Sequence, residues 1–151
     1  MAFPLPLPMR RALDLAREAA DAGEVPVGAV ITDGEDRIVA EARNAMRGSL
    51  DPTAHAEMMA LRMASEALGT SRLDDCTMWV SLEPCAMCAA AISIARVKAL
   101  RFAAEDPKGG AVVHGPRWFA QATCHHRPDV IAGLGEEEAA ETLRSFFAAR
   151  R

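Results

Sequence analysis

An α/β sandwich around a mixed sheet is the fold class this sequence predicts. Three observations lead there. Five short segments read as strands: Val27–Thr32, Ile38–Arg43, Thr77–Leu82, Lys98–Ala103 and Val130–Leu134. Helical patterns are interspersed with them, and that order suits helices packed on a sheet. Two of those helices are apolar almost all round, which marks them as central rather than surface elements.

Taken in order, the first helix covers residues 9–22. Met9, Ala12, Leu13, Ala16 and Ala20 recur at helical spacing, and Gly23 is a stop signal. Residues 1–8, with prolines at 4, 6 and 8, read as an extended tail rather than a signal peptide, because no basic segment precedes the short apolar stretch. The domain proper is then 9–151. Val27–Thr32 is a buried-strand run, and Asp33–Asp36 reads as a hairpin turn. Along 38–43 apolar Ile38, Ala40 and Ala42 alternate with Val39, Glu41 and Arg43, a strand with one buried face. His55–Leu68 is a largely apolar helix, opened by the turn Asp51–Pro52 and a Thr53 cap. Thr77–Leu82 is a strand that ends just before Cys85, where a second apolar helix begins and runs to Ile94. Lys98–Ala103 follows as a strand. Residues 104–128 are rich in Gly, Pro and His and read as a long functional loop with some helix. Val130–Leu134 is a weaker strand. Glu136–Glu138 opens the last helix and Arg150–Arg151 closes it, both charges matching the helix dipole.

The chemistry concentrates in two strings. His55-Ala56-Glu57 is followed 27 residues after Glu57 by Pro84-Cys85, with Cys88 three positions further on. Cys85 and Cys88 share one helix face, and a thiolate at a helix N-terminus is favoured by the dipole. His55 and Glu57 are two apart and cooperate only at a helix start, with a metal off its end. One imidazole and two thiols make a zinc shell with one position open, which is the catalytic rather than the structural pattern. Zinc in such a shell makes water acidic near neutral pH, and Glu57 is placed to move protons. The H-x-E…P-C-x-x-C arrangement is a known signature of zinc-dependent nucleobase deaminases. A closed structural site would need a fourth ligand, for which Cys124 or His125 is the visible reservoir, and it would leave Glu57 without a task.

Composition bounds the alternatives. At 151 residues the chain is one domain with room for a real core. No apolar run approaches the roughly 20 residues of a membrane span, so no membrane partner is expected. Cys76 and Cys124 remain beside the metal pair, too few for a disulfide framework, and a cytoplasmic, reducing compartment fits. The net charge of −4 argues against nonspecific nucleic-acid binding, and no DNA partner is expected. Yet 15 of the 17 basic residues are Arg, the better side chain for phosphate, which leaves room for a local basic patch.

Over roughly residues 9–150 the chain resembles the bacterial tRNA-specific adenosine deaminases, members of the cytidine deaminase-like superfamily. The resemblance rests on Glu24–Ala29, Asn44, Asp51–Glu57, Ser81–Cys88, Asp106–Ala111 and the pair Phe146-Phe147. It implies a three-layer α/β/α fold with about five strands, one zinc ion per subunit, a homodimer, and deamination of adenosine to inosine at the wobble position of a tRNA anticodon stem-loop. It further implies that His55, Cys85 and Cys88 bind zinc and that Glu57 shuttles protons. The Ala56 N–H would meet the new oxygen on the attacked carbon, Asn44 would hydrogen-bond the base, and Val27 would pack on it. Phe147 and Arg150 would lie beside the neighbouring nucleotides.

Several residues keep a second reading. Asn44 also suits a turn or strand end. At least one of Phe146 and Phe147 reads as a core anchor of the last helix. Lys108, beside Gly109-Gly110, suits either a surface turn or a phosphate contact. A second metal at Cys124-His125-His126 is disfavoured, because adjacent residues rarely converge on one ion. The competing activity is deamination of a free nucleobase of the guanine or cytosine type, which uses the same zinc motif and needs no phosphate-binding surface.

Overall fold

The computed structural model describes residues 4–150. It is a five-stranded mixed sheet between two helical layers. The strands are β1 (Gly28–Thr32), β2 (Ile38–Arg43), β3 (Thr77–Leu82), β4 (Ala99–Ala104) and β5 (Asp129–Ala132), in the spatial order β2-β1-β3-β4-β5. β1 pairs antiparallel with both β2 and β3, and β3-β4-β5 run parallel. The helices are α1 (Leu7–Asp21), α2 (Ala56–Leu68), α3 (Ala86–Ile94) and α4 (Glu136–Ala148), with a single 3₁₀ turn at Trp118–Ala120.

Strand alternation sorts side chains into two cores. Ala29, Ile31, Met78, Val80, Leu100 and Phe102 face α2 and α3, whereas Val30 and Trp79 face α1. β1 lies inside the sheet with both faces covered, so all five of its residues are buried. Edge strand β2 buries only Ala40 and Ala42. Helix α1 crosses β1 so closely that a Cβ on Gly28 would lie 2.1 Å from the Ala12 carbonyl oxygen, and only glycine fits there. On the same layer α4 is tied to α1 by ion pairs from Arg10 and Arg17 to Glu138. The hydrogen bond from Arg10, 2.9 Å from Nη1 to Oε1, leads the interactions that draw the Glu138 carboxyl down to about 2.

Three local expectations change. Helix α1 begins at Leu7 rather than after an extended tail ending at residue 8, because Pro8 sits in its first turn, where proline's fixed φ suits the helix and no N–H partner is needed. Residues 1–3 of that tail lie outside the described residues. Thr53 does not cap α2. Its N–H and hydroxyl both donate to Asp51 Oδ1, at 2.8 and 2.7 Å, closing a local Asp turn, and the cap position falls to His55. At the other end of the chain α4 stops at Ala148, with Arg150 just past it, and Arg151 is outside the described residues.

Candidate active site

The two central helices start side by side, and each starts on a potential metal ligand. His55 is the N-cap of α2 (φ −71°, ψ 148°) and Cys85 the N-cap of α3 (φ −72°, ψ 176°). Neither side chain makes a capping hydrogen bond, because both turn outward to meet each other. His55 Nδ1 lies 3.6 Å from Cys85 Sγ and 3.5 Å from Cys88 Sγ. Tetrahedral zinc, with Zn–S about 2.3 Å and Zn–N about 2.0–2.1 Å, requires an S···N separation of about 3.6 Å. The donor set therefore fits zinc in both chemistry and spacing. Ligation through Nδ1 leaves Nε2 to carry the ring proton. Among the described residues this is the one group of three or more His, Cys, Asp or Glu close enough to share an ion.

The two thiols differ in how readily they lose a proton. Cys85 is pulled down to about 5, first by a hydrogen bond from the Cys88 thiol and then by the N–H groups of the opening helix turn. Cys88, which gives that bond and is fully buried, is pushed up. Two helix N-termini pointing at one spot add positive potential for anionic ligands. Glu57, one residue into α2 beyond Ala56, is 4 % exposed. Burial raises its carboxyl to about 7, where a group both takes and gives a proton readily.

Asn44 supplies the cap that His55 cannot. Its Oδ1 accepts the Ala56 N–H at 2.8 Å across 12 residues, and both groups are buried. In this structure the Ala56 N–H, expected to meet the new oxygen on the attacked carbon, is held by Asn44. As the first amide of α2 it has no intrahelical partner, and Asn44 takes it. Asn44 also lines the catalytic cavity. His55, Glu57, Cys85, Asn44 and Val27 all line one cavity of about 180 Å³, with Met46 and Leu82. That is well below the roughly 300–1,000 Å³ of pockets for drug-sized ligands, and it suits a single flat base.

Leu82, Val25, Asp106 and Gly109 are shared with an outer groove of about 740 Å³. Lys108, Phe147 and Arg150, distant in sequence, come together along that groove. Phe146 is the core anchor at 7 % exposure, and Phe147 stands out at 47 %. Arg150 is stacked 3.5 Å over the Phe146 ring and donates to the Phe146 carbonyl, which fixes its guanidinium beside Phe147. The Asp106 carboxylate accepts the N–H groups of Lys108 and Gly109, so a tight turn presents Lys108.

Cys124 is not a ligand in reserve. It is buried, with Sγ 3.4 Å from Ser93 Oγ and 3.2 Å from the His126 carbonyl, while His126 Nε2 lies 2.7 Å from the Val97 carbonyl. Two buried acids escaped sequence reasoning. Glu24 accepts the N–H groups of Arg47 and Gly48. Glu83 accepts four backbone N–H groups, from Asp106, Val112, Val113 and His114. Burial opposes its ionisation, but the bonds from Asp106, His114 and their neighbours outweigh that and hold its carboxyl low. The available signal was an acid wedged between an apolar strand and Pro84, ahead of a glycine-rich loop with many N–H groups to satisfy.

Comparison with known proteins places this geometry. Residues 7–104 match the cytidine and deoxycytidylate deaminase zinc-binding region. The chain is 54% identical over 144 residues to a tRNA-specific adenosine deaminase of Agrobacterium fabrum, spanning 95% of this chain and 93% of that one. A solved tRNA:A34 deaminase, studied for A-to-I editing at the wobble position, superposes with a TM-score of 0.89 at 52% identity, covering 91% of this chain and 99% of the other. A guanine deaminase from Bacillus subtilis is more distant, at TM-score 0.64 and 36% identity over 95% of this chain and 92% of that one. By the matched zinc region and by identity along nearly its whole length, this chain belongs to the tRNA-specific adenosine deaminases of the cytidine and deoxycytidylate deaminase family.

Proposed function

We propose that this protein hydrolyses adenosine to inosine at the wobble position of a tRNA anticodon, releasing ammonia. The observation that carries this reading is the continuity between a cavity sized for one base and a groove lined by Lys108, Phe147 and Arg150. A free-base deaminase has no use for such a groove. An anticodon nucleotide has neighbours on both sides to fill it, with stacking on Phe147 and phosphates for the two cations. The anticodon loop is already single-stranded, so turning one base into the cavity costs at most a few kcal/mol.

His55, Cys85 and Cys88 would hold the zinc ion, one per subunit. Bound there, zinc supplies Lewis acidity and a water that ionises near pH 7. Glu57 takes a proton from the attacking water and delivers it to the ring nitrogen; it then takes the second proton from the new hydroxyl on the attacked carbon and delivers it to the amino group, which leaves as ammonia. Asn44, fixed by its bond to Ala56, turns its Nδ2 to the base, and Val27 packs against the ring. The walls around Glu57 exclude bulk water, which strengthens each of these interactions. The direct test is turnover of a stem-loop carrying adenosine at the wobble position, set beside free adenine, guanine and cytosine. Affinity for the stem-loop should fall as salt rises. If Lys108 and Arg150 each neutralise one phosphate, the log–log slope is about −1.4 from roughly −0.7 per single-strand phosphate. A flat salt response with fast turnover of a free base would favour the runner-up activity.

The active form is a homodimer joined through α2 and α3. Helices α1 and α4 pack on the opposite face of the sheet, which removes them as cover for this side. Ile94 is 79 % exposed, and with Met58, Leu61 and Ala91 it borders an apolar depression between the two helices. Small Ala side chains allow close approach of a second copy, which would bring residues to each pocket mouth. Sedimentation at micromolar concentration should give a dimer, and Ile94→Asp should give monomers with reduced turnover. A fully active monomer would contradict the shared pocket. Cytoplasmic location follows from the tRNA substrate. All four cysteines are unbridged, as a reducing compartment requires, and no helix among the described residues is long and apolar enough to cross a membrane.

A further inference from the structure

Glu83 follows β3 directly, two residues before Cys85, and borders the catalytic cavity, yet its carboxylate is spent on the segment that follows β4. Oε1 accepts the Asp106 N–H at 2.9 Å and faces His114 Nδ1 at 2.8 Å. Oε2 accepts three successive N–H groups, those of Val112, Val113 and His114, at 3.0, 3.0 and 3.2 Å. The side chain is fully buried. Residues 105–117 contain no strand or helix, so these amides have no ladder to join. One carboxylate replaces the missing ladder. Gly110 is laid directly on it: a Cβ there would fall 2.4 Å from Glu83 Cδ and 2.6 Å from the Asp106 carbonyl oxygen. The same segment contributes Asp106 and Gly109 to the wall between the catalytic cavity and the outer groove, and Lys108 to the groove itself.

We propose that Glu83 is a positioning residue for substrate: it folds residues 105–114 into the wall that receives the nucleotides beside the reacting base. Glu83 touches neither base nor metal. It acts through Asp106, Gly109 and Lys108, and so sets how well the RNA is held rather than how fast the held base reacts. This rests on the RNA-deaminating reading above.

Two variants test it. Glu83→Gln keeps the shape but puts an NH₂ group against backbone N–H donors, and no orientation of the amide satisfies both sides. Gly110→Ala keeps the carboxylate and forces the segment off it, so the test survives if Glu83→Gln does not fold. For each, zinc content, amide hydrogen exchange at 112–114, and kcat and KM on the wobble-adenosine stem-loop are measured. The expected result is unchanged zinc, faster exchange at 112–114, KM raised about tenfold from the loss of buried, charge-assisted bonds, and kcat within about threefold of the parent. Unchanged KM with only a lower melting temperature would reduce Glu83 to a stabilising role and overturn the proposal. So would loss of zinc, or a fall in kcat alone, since either would mean that Glu83 serves the ligands or the chemical step. If the parent protein leaves the stem-loop unmodified, the RNA reading itself falls, while unaltered exchange at 112–114 in both variants would separately refute the clamp.

Discussion

Replacing Glu57 with alanine should leave a folded, zinc-containing protein whose turnover is lower by about 10²–10⁴-fold, the usual worth of general acid–base help, or by more if both proton transfers depend on it. Water must lose a proton and the ring nitrogen must gain one before ammonia leaves. Glu57 is the one acid among the described residues that is both buried and lining the catalytic cavity beside His55 and Cys85 without anchoring a loop. Burial raises its carboxyl, which favours its accepting a proton. Zinc should remain, because Glu57 does not belong to the three-residue ligand group. Metal analysis beside single-turnover rates separates the two effects. Near-normal turnover in Glu57→Ala would remove this residue from the mechanism.

Cys88→Ser should lose both zinc and activity. Cys88 is fully buried, on the third residue of α3, and its Sγ completes the triangle with His55 and Cys85. A serine hydroxyl is a poor substitute for a thiolate in a zinc shell. Structural zinc sites contribute apparent binding energies of about 10–16 kcal/mol, so losing one of three ligands should drop occupancy well below one per subunit in dilute buffer. Stability should fall as well, since bound metal stabilises the folded state by mass action. Cys124→Ser is the informative comparison. Its sulfur contacts Ser93 and the His126 carbonyl and not the ligand group, so zinc should stay. Zinc loss in Cys124→Ser, with retention in Cys88→Ser, would mean that the site is misassigned.

Local patterns made most of this molecule legible in the sequence. The alternation at 38–43 and the apolar run at 27–32 gave β2 and β1 within a residue, because edge and interior strands differ in how many faces they bury. The ligand spacing gave the metal centre, because two helix starts impose where His55, Cys85 and Cys88 point. What stayed hidden depends on contacts between remote segments. The sequence offers no sign that Asn44 caps α2, since the pairing with Ala56 arises only when β2 and α2 lie side by side. Thr53 has the composition of a cap, but Asp51, two residues earlier, is the stronger local acceptor. The outer groove joins Val25, Leu82, residues 105–109 and the end of α4, four stretches that no periodicity links. Glu83 looked like part of a motif string, and its role emerges only with the loop folded onto it.

The most direct measurement is the yield of inosine from an anticodon stem-loop with adenosine at the wobble position, followed by mass spectrometry of digested RNA, with ammonia release from equimolar free adenine, guanine and cytosine measured alongside. Stoichiometric inosine at that one position is expected, with negligible release from the free bases. Rapid ammonia release from a free base, with the stem-loop left unmodified, would contradict the proposed activity.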